Sequence, residues 1–195
     1  MLKVLEKIIK KSKYRFEFVD LGGGMGISYD NSKKRLNLKK YSVLIKKFLK
    51  KQKCQIIFEP GRSIIGNSGI LISKVIYIKE SSKKDFVILD VAMNDFMRPA
   101  LYNAIHKIIP VKKSIKKSKK NYEFVGPICE STDKFALFKN FQKLKEKELV
   151  IILDVGAYGM SLSSNYNLRP KATELLIKNS KIKIISKRQK LKDLI

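Results

Sequence analysis

Two short stretches of this 195-residue chain carry residue types that bind anions. The first, Asp20-Leu21-Gly22-Gly23-Gly24-Met25-Gly26, directly follows an apolar run. Consecutive glycines let backbone N–H groups turn toward an anion with no Cβ in the way, so the loop suits a phosphate. It is not the dinucleotide fingerprint G-x-G-x-x-G, because the third glycine falls one residue early, and no Walker lysine pattern follows. Taken alone, a tight structural turn explains it as well as a phosphate site does. The second stretch, Phe58-Glu59-Pro60-Gly61-Arg62, sets a carboxylate, a glycine and a guanidinium at the end of another apolar run. If both runs are parallel strands, both loops lie at strand carboxyl ends, where parallel α/β proteins bind ligands.

Further along come Asn94, Asp95, Arg98, Pro99 and Tyr102, then Gly126-Pro127-Ile128-Cys129-Glu130-Ser131, then Gly156-Ala157-Tyr158-Gly159 with residues 163–167. Read singly, Cys129 is a small buried hydrophobe, Tyr102 and Tyr158 are core packing, Arg98 is a surface ion pair, and Arg62 is an ion-pair partner of Glu59. His106, the only histidine, reads as a structural or helical residue.

The elements that position these residues are legible as patterns. Residues 1–12 form an amphipathic helix with Leu2, Leu5, Ile8 and Ile9 on one side. Strands are expected at 16–21 and 55–58, joined by a crossover helix over 41–50 with Tyr41, Leu44, Ile45 and Phe48 at helical spacing. From residue 63 onward the texture changes to short β-branched runs at 70–78, 86–90, 122–125, 149–154 and 182–186. The expected fold is α/β plus β: an α/β piece over 1–63 and a β-rich piece over 64–195. Residues 111–121, with six lysines and no aromatic, read as a solvated loop.

Composition narrows the class. An apolar content of 44% supports a packed core, and 43 basic against 17 acidic residues give a net charge of +26. That excess is mostly lysine scattered through every segment, without the arginine and interleaved aromatics of a base-reading surface, so no nucleic-acid role is expected. Cys54 and Cys129 form no C-x-x-C pair, so neither a disulfide framework nor a metal site is signalled, and a cytoplasmic setting fits. No apolar run reaches the roughly 18 residues of a membrane span, and the N-terminus has no signal-peptide pattern.

The strings D-L-G-G-G-M-G-I, E-P-G-R-S, M-N-D-F-M-R-P-A-L-Y-N-A-I-H, G-P-I-C-E-S-T-D and G-A-Y-G-M-S-L-S-S-N-Y-N-L-R-P, in that order, resemble diaminopimelate decarboxylase over essentially the whole chain. C-E-S and R-P-A-L-Y separate it from the related ornithine and arginine decarboxylases. The resemblance implies an eight-stranded α/β barrel, of which this chain carries the last two βα units, joined to a β-rich C-terminal domain. It also implies pyridoxal 5'-phosphate as cofactor and a homodimer with shared active sites. Gly23, Gly24 and the backbone of Glu59, Pro60, Gly61 and Arg62 would hold the cofactor phosphate, with Glu59 near the pyridine nitrogen and Tyr158 also touching the cofactor. Arg62, Arg98, Tyr102 and Tyr158 would hold the substrate, Glu130 would pair its distal ammonium, and Cys129 would be the proton donor, the last two reaching across from the partner subunit. The implied reaction removes one carboxylate of meso-diaminopimelate as carbon dioxide and yields L-lysine, the last step of lysine biosynthesis.

A family member of usual length would place about six of the barrel's strands upstream, with the lysine that anchors the cofactor among them. No lysine here sits in that family setting, so this chain alone is expected to be inactive. Three readings follow: a decarboxylase fragment completed by an N-terminal barrel segment, a non-catalytic remnant or regulatory partner of a full-length subunit, and a basic nucleic-acid-binding protein on an inherited scaffold.

Overall fold

The computed structural model describes residues 1–29 and 36–195, in two compact units, residues 1–65 and 66–195. No helix among the described residues is long and apolar enough to cross a membrane.

In the first unit the opening helix, α1 (Leu2–Ser12), ends where Lys13 takes a left-handed backbone (φ 58°). Leu2, Leu5 and Ile9 pack against the small core of Val19, Leu21 and Ile45. Ile8, expected on that face, falls at the edge of the stripe and is exposed. Strand β1 (Phe18–Asp20) pairs in parallel with β2 (Gln55–Ile57), Val19 opposite Ile56. Both are shorter than the apolar runs suggested. The Asp20 carboxylate accepts the Gly22 N–H at 2.7 Å, an Asx turn that bends the chain out of the strand.

Between the strands runs α2 (Leu38–Gln52), longer at both ends than its apolar spacing indicated. The Asn37 side chain caps it by accepting the Lys40 N–H, and Lys53 closes it with a left-handed φ of 53°. Ile45 and Phe48 are its buried residues, while Leu44, expected inward, is exposed. A short helix, α3 (Gly61–Ile65), follows β2.

The second unit is built on a mixed six-stranded sheet. Its strands are β3 (Ile70–Lys79), β4 (Lys84–Leu89), β5 (Ile108–Pro110), β6 (Asn121–Val125), β7 (Lys134–Phe138) and β8 (Leu149–Leu153), in the order β5-β8-β3-β4-β6-β7. The long strand β3 serves both halves: residues 70–74 pair with β8, and residues 75–79 pair with β4 after an irregularity at Ile76. Only β4 and β6 run parallel. Val75, Val87, Leu89, Tyr122, Phe124, Val150 and Ile152 alternate inward along their strands and meet Phe135 and Phe141 in one core. A fully buried residue such as Phe124 contributes roughly 1.5–3 kcal/mol of transfer free energy.

Three strands were not anticipated. β5 is three residues long, β7 opens on exposed Lys134 and also exposes Leu137, and β9 (Glu174–Lys178) has no buried residue. β9 pairs with β10 (Lys181–Ser186) in an antiparallel hairpin. Asn179 and Ser180 both have positive φ at its turn, the backbone that suits a two-residue hairpin. The lysine-rich stretch stays a loop up to β6, with Ile115 fully exposed. A five-residue helix, α4 (Arg98–Tyr102), begins with Pro99 in its first turn and ends at Asn103 with φ 50°.

Candidate functional site

In the first unit the glycine loop and the Glu59–Arg62 loop meet. Because β1 and β2 are parallel neighbours, the glycine loop and the Glu59–Arg62 loop leave the same ends of both strands. The Glu59 N–H donates to the Gly22 carbonyl at 2.9 Å, and the Leu21 N–H to the Ile57 carbonyl at 3.0 Å. A Cβ on Gly23 would stand 2.6 Å from the Glu59 carbonyl oxygen, so only glycine admits this approach. Gly22 (φ 63°) and Gly24 (φ 78°) take the left-handed backbone, and a Cβ on either would meet nothing within 4 Å. The loop is thus pinned on one side and open on the other, a side-chain-free cradle that fits a phosphate-bearing cofactor. Gly61 N–H donates back to the Glu59 carbonyl at 2.9 Å, and Gly61 and half-buried Arg62 then open α3.

In the second unit the geometry gathers around Arg98. It is 4% exposed, so it is not the surface residue that a reading of it taken singly expects. Its guanidinium carbon lies 5.8 Å from the Tyr102 ring centre and 5.9 Å from the Tyr158 ring centre, within cation–π range of both. The two rings are themselves exposed, not packed in the core as each would be on its own reading. Tyr158 also takes a left-handed φ of 58°, an uncommon backbone for a bulky residue, and such strain clusters at functional sites. A buried cation flanked by two accessible phenols suits a carboxylate or another planar anion.

The loop that carries Cys129 and Glu130 is held from within. The Asp133 carboxylate accepts the Met93 N–H at 2.7 Å through Oδ1 and the Ile128 N–H at 2.9 Å through Oδ2. Gly126 packs directly on that carboxylate, where any Cβ would collide with it. Burial pushes the Asp133 carboxyl up from its usual range, opposed by those two N–H donors and the Arg169 charge, with Asp95 adding to the rise. Replacing Asp133 by Ala leaves one buried and one part-buried N–H group without this acceptor. We expect a loss of about 1–3 kcal/mol for each, measured by denaturant unfolding of the chain. An Asp133→Ala chain as stable as the parent contradicts this anchoring.

Cys129 is exposed and Glu130 half-buried, so neither is the small buried core residue that a lone cysteine usually is. The Thr132 N–H and hydroxyl, with Ser131, hold the Glu130 carboxyl below its ordinary range, against a smaller upward effect of desolvation. A lowered carboxyl contributes stability above its unfolded value of 4.5 and loses it as pH falls through the lowered folded value. Its charge therefore persists across the range in which an ammonium needs a partner. A carbon-detected titration should place the Glu130 midpoint below 4.5, and Thr132→Val should move it upward. A midpoint at or above that value in the parent chain contradicts the assignment.

Three residues to which the sequence assigns no site role organise this unit, among them His106, expected to be structural or helical. His106 lies in no helix and is 2% exposed. Its Nε2 accepts the Arg98 Nε–H at 3.3 Å, and its Nδ1 faces the Leu153 carbonyl at 2.9 Å. Arg169 donates through Nε to the Asn94 side chain at 3.0 Å and through a terminal nitrogen to the Asp90 carbonyl at 2.6 Å. Asn94, fully buried, also bonds the Ser164 carbonyl, tying 163–169 to the segment that leads into α4. Asn94 and Asp95, part of the motif, thus act as structural ties. Asp133 is the third.

These features were compared with known proteins. Residues 11–156 match the family described as pyridoxal-dependent decarboxylase, C-terminal sheet domain. The chain is 41% identical to a diaminopimelate decarboxylase of Aquifex aeolicus over 97% of its own length and 44% of that protein's. It is 43% identical to the Zymomonas mobilis diaminopimelate decarboxylase over 95% of its own length and 44% of that protein's. The solved Helicobacter pylori diaminopimelate decarboxylase complexed with L-lysine superposes with a TM-score of 0.85 at 41% identity, covering 99% of this chain and 48% of that one. The chain spans less than half the length of the curated relatives it matches. On a match that runs through the glycine cradle, the Arg98 segment and the Cys129 loop, this chain belongs to the pyridoxal-dependent decarboxylase family and corresponds to the C-terminal part of its diaminopimelate decarboxylase members.

Proposed function

We propose that the chain forms the C-terminal part of a diaminopimelate decarboxylase, which releases one carboxylate of meso-diaminopimelate as carbon dioxide and yields L-lysine. The observation that carries this reading is Arg98, buried between two accessible tyrosine rings in a chain alignable along nearly its whole length with such enzymes. In this reading residues 1–63 contribute the last two βα units of an α/β barrel, and residues 64–195 form the β-rich C-terminal domain. Upstream barrel strands, on the same or another polypeptide, bring the lysine that anchors the cofactor.

Gly23, Gly24 and the backbone of Glu59, Pro60, Gly61 and Arg62 hold the cofactor phosphate, and Tyr158 borders the ring. Glu59 would lie near the pyridine nitrogen, where a carboxylate favours its protonated form. Pyridoxal phosphate, when bound, supplies the electron sink that lets the carbon–carboxylate bond break. Arg62, Arg98 and Tyr102 orient the substrate's carboxylates, so that a planar guanidinium meets a planar anion. Glu130 pairs the distal ammonium, and the Cys129 thiol delivers a proton to the carbon that has lost its carboxylate. Both of the last two act in the partner subunit's site of a homodimer, in a cytoplasmic setting.

The test pairs this chain with the upstream half of a relative and supplies pyridoxal phosphate and meso-diaminopimelate. Bound-cofactor absorbance and L-lysine formation are expected from the pair and from neither half alone, with no carbon dioxide from ornithine or arginine. A pair that binds cofactor but releases nothing from diaminopimelate sinks the reading in favour of a non-catalytic partner.

A further inference from the structure

We infer that His106 is a positioning residue for Arg98, working as one defined tautomer of the neutral imidazole. The functional part of this inference rests on the decarboxylase reading above; the tautomer does not.

A backbone carbonyl can only accept, so the 2.9 Å contact of His106 Nδ1 with the Leu153 oxygen requires the proton on Nδ1. The Nε2 lone pair is then the acceptor for the Arg98 Nε–H at 3.3 Å. The opposite tautomer sets a lone pair against the carbonyl and a donor against a donor. The imidazolium sets a cation against the guanidinium.

Neither ring nor carbonyl has freedom to re-aim. His106 is 2% exposed, and its ring meets Phe96 edge to face with centroids 4.6 Å apart. Leu153 closes β8, and its own N–H donates to the Lys107 carbonyl at 2.9 Å, so the residue after the histidine and the histidine itself grip the same strand end. Five residues later the chain presents Tyr158. One strand end therefore sets the histidine that aims Arg98 and leads into one of the rings that flank it.

The consequence is a fixed guanidinium plane. With Nε directed at the histidine, the plane of the group and the direction of its two terminal nitrogens are set, and those two nitrogens are the edge that a carboxylate meets as a fork. A charged side chain of this length otherwise has several rotamers, and an unfixed one binds a planar anion with a large ordering cost. His106 removes that cost before the substrate arrives.

Because the chain has a single histidine, its imidazole nitrogens can be read without ambiguity. Nitrogen-15 NMR of the full chain at neutral pH should show a protonated Nδ1, an unprotonated Nε2 and a slowly exchanging Arg98 Nε–H. A protonated Nε2 overturns the inference whatever the enzyme does.

In the assembled decarboxylase, His106→Met, which keeps bulk and removes the acceptor, should raise KM for diaminopimelate about tenfold while kcat changes less. His106→Gln, whose amide oxygen can accept from Nε, should recover most of that loss. Equal loss in both variants, or a fall in kcat alone, counts against positioning. If the parent assembly turns nothing over while the expected tautomer is seen, the decarboxylase reading fails and the His106–Arg98 pairing stands.

Discussion

Arg98→Ala is expected to lower kcat/KM for diaminopimelate roughly 10²- to 10³-fold in the assembled decarboxylase, the range set by truncating one partner of a desolvated charge pair. The size follows from burial. A guanidinium 4% exposed gains little from water, so a carboxylate that reaches it interacts through a medium of low screening. Arg98→Lys separates charge from geometry. Lysine restores a cation, but it cannot donate to His106 and present a fork at the same time, so it should recover only part of the loss. Both variants remove the Arg98 Nε–H donated to His106, so their unfolding curves belong beside the kinetics. A variant that folds like the parent and keeps full turnover would show that Arg98 is a structural cation and that the carboxylate binds elsewhere.

The second large effect is expected at Cys129. Its thiol stands on a loop pinned by Asp133 and Gly126, exposed, and next to a carboxylate held in its charged form. A positioned proton donor contributes about 10²- to 10⁴-fold, so Cys129→Ala should lower kcat by that factor with KM little changed. Glu130→Gln should do the reverse, raising KM for a substrate with a distal ammonium. The pair of results distinguishes the roles, because the side chains are adjacent and any general damage to the loop would move both constants in both variants. Unaltered kcat in Cys129→Ala would assign proton delivery to another group.

Much of this arrangement was readable in the residues. The βαβ order of the first unit followed from an apolar run, a glycine turn, a 3.6-residue stripe and a second apolar run, and each of these is a local property of the chain. The main strands of the second unit were readable for the same reason: β-branched runs of alternating burial have few other uses. Where the reading missed, the information was not local. β5 and β7 are strands because β8 and β6 offer them an edge, and nothing in Ile108–Pro110 or Lys134–Phe138 announces that edge. Ile8 and Leu44 looked inward by spacing, yet each lies at the margin of a stripe whose width is set by what packs against it.

The candidate site divides along the same line. Residue type alone determined that glycines 22–24 could turn backbone donors toward an anion and that arginine could fork a carboxylate. Those are properties of side chains and of backbone freedom, carried wherever the residue goes. Only the tertiary structure decided that Gly23 must be glycine, because the Glu59 carbonyl of the neighbouring loop would stand 2.6 Å from a Cβ there. Only it converted Arg98 from a surface charge into a buried one aimed by His106 across eight residues, and Asp133 from an ordinary acid into the clasp of a loop. Hydrogen bonds of this kind join residues that pairing of distant strands brings together, and their direction is a fact of three-dimensional geometry that spacing along a chain does not encode.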